Sequence, residues 1–127
     1  MKARQSGVLM HISSLPGKYG IGSFGQSAYD FVDFLVRTKQ RYWQILPLGT
    51  TSYGDSPYQS FSAFAGNTHF IDLDFLIDEG LLAEEDLKSV DFGDDPKAVD
   101  YAKVFEARRP LLEKAVARFL KVGDLDK

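Results

Sequence analysis

Apolar residues fall in short blocks along the first fifty positions, and the spacing inside each block differs. Gly7-Val-Leu-Met-His-Ile12 is almost continuously apolar and predicts a buried strand. Ser13-Ser-Leu-Pro-Gly17 closes it with a Pro-Gly turn signal. From Ser27 the spacing becomes helical. Ala28, Phe31 and Leu35, with Val32 and Phe34 beside them, predict a helix over Ser27–Arg37. The Ser27 hydroxyl is expected to cap its first turn, with Asp30 near the positive end and Arg37, Lys39 and Arg41 toward the negative end. Tyr42–Leu48 predicts a second strand, in which Pro47 marks the end of regular pairing. Strand, helix and strand at this spacing form a crossover, which requires the strands to be parallel. Both look apolar on both faces, so both are expected to be covered on each side.

Farther on, Phe70-Ile-Asp-Leu-Asp-Phe-Leu76 alternates apolar and acidic residues. It fits either a short strand or the start of a helix that ends before Gly80. Glu84–Ser89 predicts a short helix, and Val90–Pro96 an acidic linker. Asp100–Lys121 has the strongest helical period, through Tyr101, Val104, Phe105, Leu111, Leu112, Ala115, Val116 and Phe119. Pro110 is expected to kink or divide that helix near Arg109. The chain contains neither an internal repeat nor a low-complexity stretch.

Between the second strand and Phe70 lies a loop, Tyr53-Gly-Asp-Ser-Pro-Tyr-Gln-Ser-Phe-Ser-Ala-Phe-Ala-Gly-Asn67. Gly, Pro, Asp, Asn and hydroxyl residues make it a loop by composition. It also carries four aromatics, Tyr53, Tyr58, Phe61 and Phe64, for which a solvated loop has no use. Flat rings beside hydroxyls and amides suit a ligand that is both ring-shaped and polar, such as a sugar. The alternative is that the aromatics pin the loop to the core. Long loops in compact domains tend to be functional or disordered.

Composition removes several classes of function. The 127 residues suffice for one ordinary domain, and 44% hydrophobic with 26% charged residues is a globular balance. A net charge of -3 supplies no basic field for nucleic acid. No apolar run approaches the roughly 20 residues that span a bilayer, and no leader-like core follows the basic start. Zero cysteines and two histidines, His11 and His69, leave no plausible metal cluster and suit a cytoplasmic protein. Gly20-Ile-Gly-Ser-Phe-Gly25 spells the dinucleotide fingerprint, which makes a nucleotide-dependent oxidoreductase a rival. Its context is wrong. Ser13–Tyr19 separates the glycines from the strand, and no acid stands at the end of the second strand to hold a ribose.

Five blocks carry a resemblance: Arg4-Gln-Ser-Gly-Val-Leu9, His11-Ile-Ser-Ser-Leu-Pro16, Tyr19-Gly-Ile-Gly-Ser-Phe-Gly25, Trp43-Gln-Ile-Leu-Pro-Leu48 and the loop 53–67. Together they resemble the N-terminal end of the 4-α-glucanotransferases. This is the amylomaltase or disproportionating-enzyme family, glycoside hydrolase family 77 of the α-amylase clan. The likeness covers about residues 4–82 and is most specific in Asp55-Ser-Pro-Tyr-Gln-Ser60 and Ser62-Ala-Phe-Ala-Gly-Asn67. It implies an α/β fold, the N-terminal part of a (β/α)8 TIM barrel. Gly7–Ile12, Ser27–Arg37 and Tyr42–Leu48 would be the first strand, first helix and second strand. Residues 1–82 would form that first β-α-β portion, and 83–127 a truncated helical insertion or subdomain. The loop 49–69 would lie at the C-terminal mouth of strand two, where barrel enzymes keep their active sites. A barrel takes about 250 residues, so the chain is expected to be part of a longer protein.

The implied activity is retaining transfer of α-1,4-glucan segments between maltooligosaccharides, in the metabolism of starch, glycogen or maltodextrin. An aspartate attacks the anomeric carbon, a glutamate protonates the leaving glucan, and another sugar's 4-hydroxyl opens the covalent intermediate. The resemblance puts these carboxylates and a third acid beyond Lys127. No catalytic residue is therefore expected in this chain, which alone should be inactive, and no cofactor or metal is implied. By the same resemblance Tyr58 matches the tyrosine that stacks under the sugar whose bond breaks. Ser56 matches a hydrogen-bonding residue of that pocket, and Tyr53 a tyrosine of a second, more remote glucan site. Asp55, Gln59 and Asn67 read as loop braces, and Trp43 and His11 as strand core. A non-catalytic α-glucan-binding module built on the same loop is the alternative.

Overall fold

Strands β1 (Gly7–Leu9) and β2 (Tyr42–Gln44) lie parallel in a two-stranded sheet, with Gly7, Val8 and Leu9 opposite Tyr42, Trp43 and Gln44. Helix α1 (Gln26–Arg37) forms the crossover between them, as the apolar spacing predicts. The structure is a computed structural model that describes residues 3–52 and 54–122. It divides into two units: Met1–Gly17 with Ile21–Ile71, and Lys18–Gly20 with Asp72–Lys127.

Both strands are shorter than expected, and the reason lies in two side chains. Met10 N donates to Gln44 O at 3.0 Å. The next rung of a parallel ladder would run from Leu46 N to Met10 O. That carbonyl is occupied by the Trp43 indole, whose Nε1 donates to it at 2.7 Å. Leu46 N donates instead to His11 Nδ1 at 3.2 Å. Backbone pairing is thus handed to side chains, and Ile12–Ser14 turns into a 3-10 helix. The strands are not covered on both faces either. Leu9 is 59% and Tyr42 61% exposed. Among the described residues the first unit holds one α-helix, so one layer of cover is available. It meets β2 through Phe31, whose ring stands 4.9 Å from that of Trp43.

The core of this unit comprises Ile12, Leu15, Ile21, Ala28, Leu35 and Phe70. Gly25, not Ser27, is the N-cap of α1. The Ser27 hydroxyl donates to Pro16 O at 2.7 Å and so ties the helix start to the turn after β1. Gly22 is packed there too. A Cβ on it would collide with the carbonyl oxygens of Ile12 and Leu15. At Gly22 the fingerprint is thus packed against backbone of its own chain and not left open for a phosphate to approach.

In the second unit, Leu73–Asp78 is a helix (α2), which decides between the two predictions for that segment. The Asp72 carboxylate caps it, accepting from Phe75 N at 3.2 Å. Gly80 ends the turn after it with a φ of 73°. Helix α3 (Glu84–Leu87) is short, and α4 (Tyr101–Val122) is long. Val104, Arg108, Leu111 and Ala115 are buried along one side of α4, and the last two pack with Leu73 and Leu82. Leu82 closes the portion of the chain that the resemblance assigns to the barrel, and here it sits in this second core. Pro110 does not divide α4, which is one continuous helix. Pro110 and Glu106, whose carbonyl loses its N–H partner, both lie on the exposed side, where that carbonyl is accessible to solvent. Asp86 fastens α3 to α4: its carboxylate accepts from Lys114 Nζ at 2.5 Å, Arg118 Nη1 at 2.7 Å and Ala83 N at 3.0 Å. Among the described residues no helix is long and apolar enough to cross a membrane.

Candidate functional site

The loop after β2 leaves and returns through a narrow neck. Asn67 N donates to Leu48 O at 2.8 Å, and Gly49 pairs with Gly66 in an isolated antiparallel bridge. Inside the neck the short hydroxyl side chains are used on the loop itself. Ser60 Oγ donates to Ser62 O at 2.7 Å and lies 3.3 Å from Thr50 Oγ1. Ser62 Oγ accepts from Phe64 N at 3.2 Å and Ala65 N at 3.1 Å. Gly49 makes room for this, because a Cβ there would come within 2.6 Å of Ser60 Oγ. The Ser-x-Ser spacing was a visible sign of such hydroxyl turns, yet Ser60 and Ser62 did not stand out in the sequence as braces.

At the tip, Gly54 and Asp55 both adopt positive φ, 102° and 57°. Glycine takes that conformation freely and aspartate is among the few other residues that tolerate it. Asp55 N donates to Ser52 O at 3.0 Å, and Gln59 N to Ser56 O at 3.1 Å. Ser56 Oγ accepts from Tyr58 N at 3.3 Å, so the structure brings two of the three expected binding residues together in one turn. Tyr53, the third, lies outside the described residues. Asn67 is a brace as expected, its side chain accepting from His69 N at 3.0 Å.

The rings of Tyr58, Phe61 and Phe64 point away from the core. Tyr58 is 71%, Phe61 82% and Phe64 99% exposed. In this structure they do not pin the loop down. The loop's own serines do that and leave the rings free to offer their faces. Residues 49–69 contain a single carboxylate, Asp55. The loop has the means to hold a ring-shaped polar ligand, while two-carboxylate chemistry needs acids from elsewhere. Among the described residues no three His, Cys, Asp or Glu side chains cluster as metal ligands.

His11 and Trp43 do more than fill the strand core. Besides receiving Leu46 N–H, the buried His11 ring meets Phe70 edge-on with centroids 5.3 Å apart. Burial holds its pKa below the usual 6.5.

A family model described as 4-alpha-glucanotransferase matches residues 10–126. The chain belongs to the 4-α-glucanotransferase family. A 4-alpha-glucanotransferase from Streptococcus pneumoniae serotype 4 is 82% identical over 125 residues, covering 98% of this chain and 25% of that protein. One from Thermus thermophilus is 48% identical over 116 residues, covering 91% of this chain and 22% of its own length. Among solved structures, amylomaltase from Streptococcus agalactiae in complex with acarbose superposes with a TM-score of 0.91 at 65% identity. That match takes in 95% of this chain and 24% of the amylomaltase. The chain thus spans about a quarter of the length of the family members it matches.

Proposed function

We propose that this chain is the N-terminal, substrate-binding portion of an enzyme that transfers α-1,4-glucan segments between maltooligosaccharides in the cytoplasm. Family membership supports the activity, and the solved amylomaltase, complexed with acarbose, supports the ligand class. The observation that carries the assignment of the site is the exposed Tyr58 ring on a turn braced by the Ser56 hydroxyl. Tyr58 stacks under the sugar at the bond to be broken, Ser56 bonds in the same pocket, and Tyr53 belongs to a more remote glucan contact. β1, α1 and β2 are the opening elements of a (β/α)8 barrel, and the residues after 82 a helical insertion. The nucleophile and the acid/base belong to other parts of the protein, because the loop holds only Asp55.

Incubating the full-length protein with maltotriose tests this. The expected product is glucose together with a ladder of longer glucans. Glucan binding without any redistribution of chain lengths would replace the enzyme with a non-catalytic binding module.

A further inference from the structure

We infer that His11 is a positioning residue of the glucan loop: its neutral imidazole ties both stems of residues 49–66 to the end of β1, and its protonation releases the incoming stem. The incoming stem is held through Leu46, whose N–H has lost its ladder partner to the Trp43 indole and depends on His11 Nδ1 at 3.2 Å. Two residues later Leu48 O receives Asn67 N at 2.8 Å, and Gly49 bridges to Gly66. The outgoing stem is held through Phe70, whose ring meets His11 and whose carbonyl accepts from Phe24 N at 2.9 Å. Among the described residues His11 thus contacts both the segment that leads into the loop and the one that leads out of it.

Accepting a backbone N–H fixes the neutral tautomer with its proton on Nε2. A protonated imidazole has donors on both nitrogens and no acceptor, so the Leu46 N–H is left unpaired at a half-buried position. No ion pair among the described residues involves His11, and burial is the cause of its lowered pKa. Within two positions of its contacts Leu46 and Phe70, the titratable groups are His69 and Asp72. The Asp72 carboxylate is engaged by Phe75 N. A group whose folded pKa is depressed contributes stability above its unfolded value, here 6.5, and that contribution declines as pH falls toward the folded value. The neck of the loop is thus held in neutral solution and loosened in acid.

This inference rests on the glucanotransferase reading, and the test separates the two. In the full-length protein, His11→Asn keeps an acceptor near the place of Nδ1 that does not titrate, and His11→Leu removes it. The readout is kcat/KM on maltotriose across pH, taken as the ratio of wild type to His11→Asn, in which the limbs due to shared catalytic carboxylates cancel. The expected ratio is flat above pH 6.5 and falls below it. His11→Leu should lose about tenfold to a hundredfold at neutral pH, as displaced binding groups do. The wild type should approach the His11→Leu value in acid. A ratio that stays flat over the whole range, or a His11→Leu enzyme equal to wild type at neutral pH, overturns the proposal. Nitrogen-15 spectra of His11 decide the tautomer without activity: an unprotonated Nδ1 at neutral pH supports it, and a protonated one overturns it. If maltotriose is not redistributed at any pH, the enzyme reading fails, while the spectra still judge the role of His11.

Discussion

Gly22 lies against the backbone of Ile12 and Leu15, and its missing side chain is what allows that approach. Any Cβ there meets the carbonyls of Ile12 and Leu15, and backbone cannot move aside as a flexible side chain would. Gly22→Ala should therefore cost about 1–3 kcal/mol of stability, the usual scale for overpacking. Its melting temperature would check this, and a wild-type value would mean that the turn after β1 is looser than the structure shows. Asp86 makes a prediction of opposite character. Its bonds to Lys114, Ala83 N and Arg118 hold the carboxyl well below its usual 3.8. The unfolded chain then takes up the proton first, so the clamp is fully present above pH 3.8 and weakens as the pH falls below it. Asp86→Asn should lower the melting temperature at neutral pH and narrow its difference from wild type in strong acid. A constant difference across that range would contradict the clamp. At this scale the sequence offered Tyr58 as a binding candidate and Asn67 as a brace, but not the serine braces. Tyr58 stood out by type and setting, whereas the partner of a Ser60 or Ser62 hydroxyl depends on the backbone path of the loop.

Elements with a strong period were legible, and those bounded by tertiary contacts were not. α1 and α4 begin and end within a residue or so of the helical spacing that predicts them. β1 and β2 run short because indole and imidazole nitrogens substitute for rungs of the ladder, a choice that exists only once Trp43 and His11 lie beside the other strand. The cap of α1 was misread for the same reason: the Ser27 hydroxyl has a better partner in Pro16 O than its own helix offers. Pro110 belongs here as well. Its helix remains continuous because the face it damages is wet. Removing the proline should restore one backbone bond, so Pro110→Ala is expected to stabilise α4, by up to about 3 kcal/mol on the intrinsic scale. Thermal unfolding measures the sign. A loss of stability would show that the long helix depends on a local bend at Pro110.

At the scale of the molecule, the two-stranded sheet has, among the described residues, two open edges and a partly bare face, with Leu9 and Tyr42 each more than half exposed. Unpaired strand edges beside exposed apolar side chains invite association. The 127-residue chain on its own is expected to self-associate or to be partly ordered, and to show no transferase activity. Sedimentation as a single monomer with protected amides in both strands would contradict the first expectation, and disproportionation by the pure chain the second. The parallel crossover was legible, since helical and strand periods alternate over the first fifty residues. The main division falls between Ile71 and Asp72, and which core each apolar residue joins decides it.

The loop after β2 is proposed to hold a sugar ring at the reacting bond through Tyr58. The most direct test is kcat/KM and kcat for maltotriose with Tyr58→Ala, beside Tyr53→Ala, in the full-length protein. Stacking where charge develops acts on the transition state, so Tyr58→Ala should lose about 1–3 kcal/mol, roughly tenfold to 200-fold, largely in kcat. Tyr53→Ala should weaken the binding of long glucans and leave turnover of short ones nearly intact. A folded Tyr58→Ala protein with wild-type turnover would contradict the account.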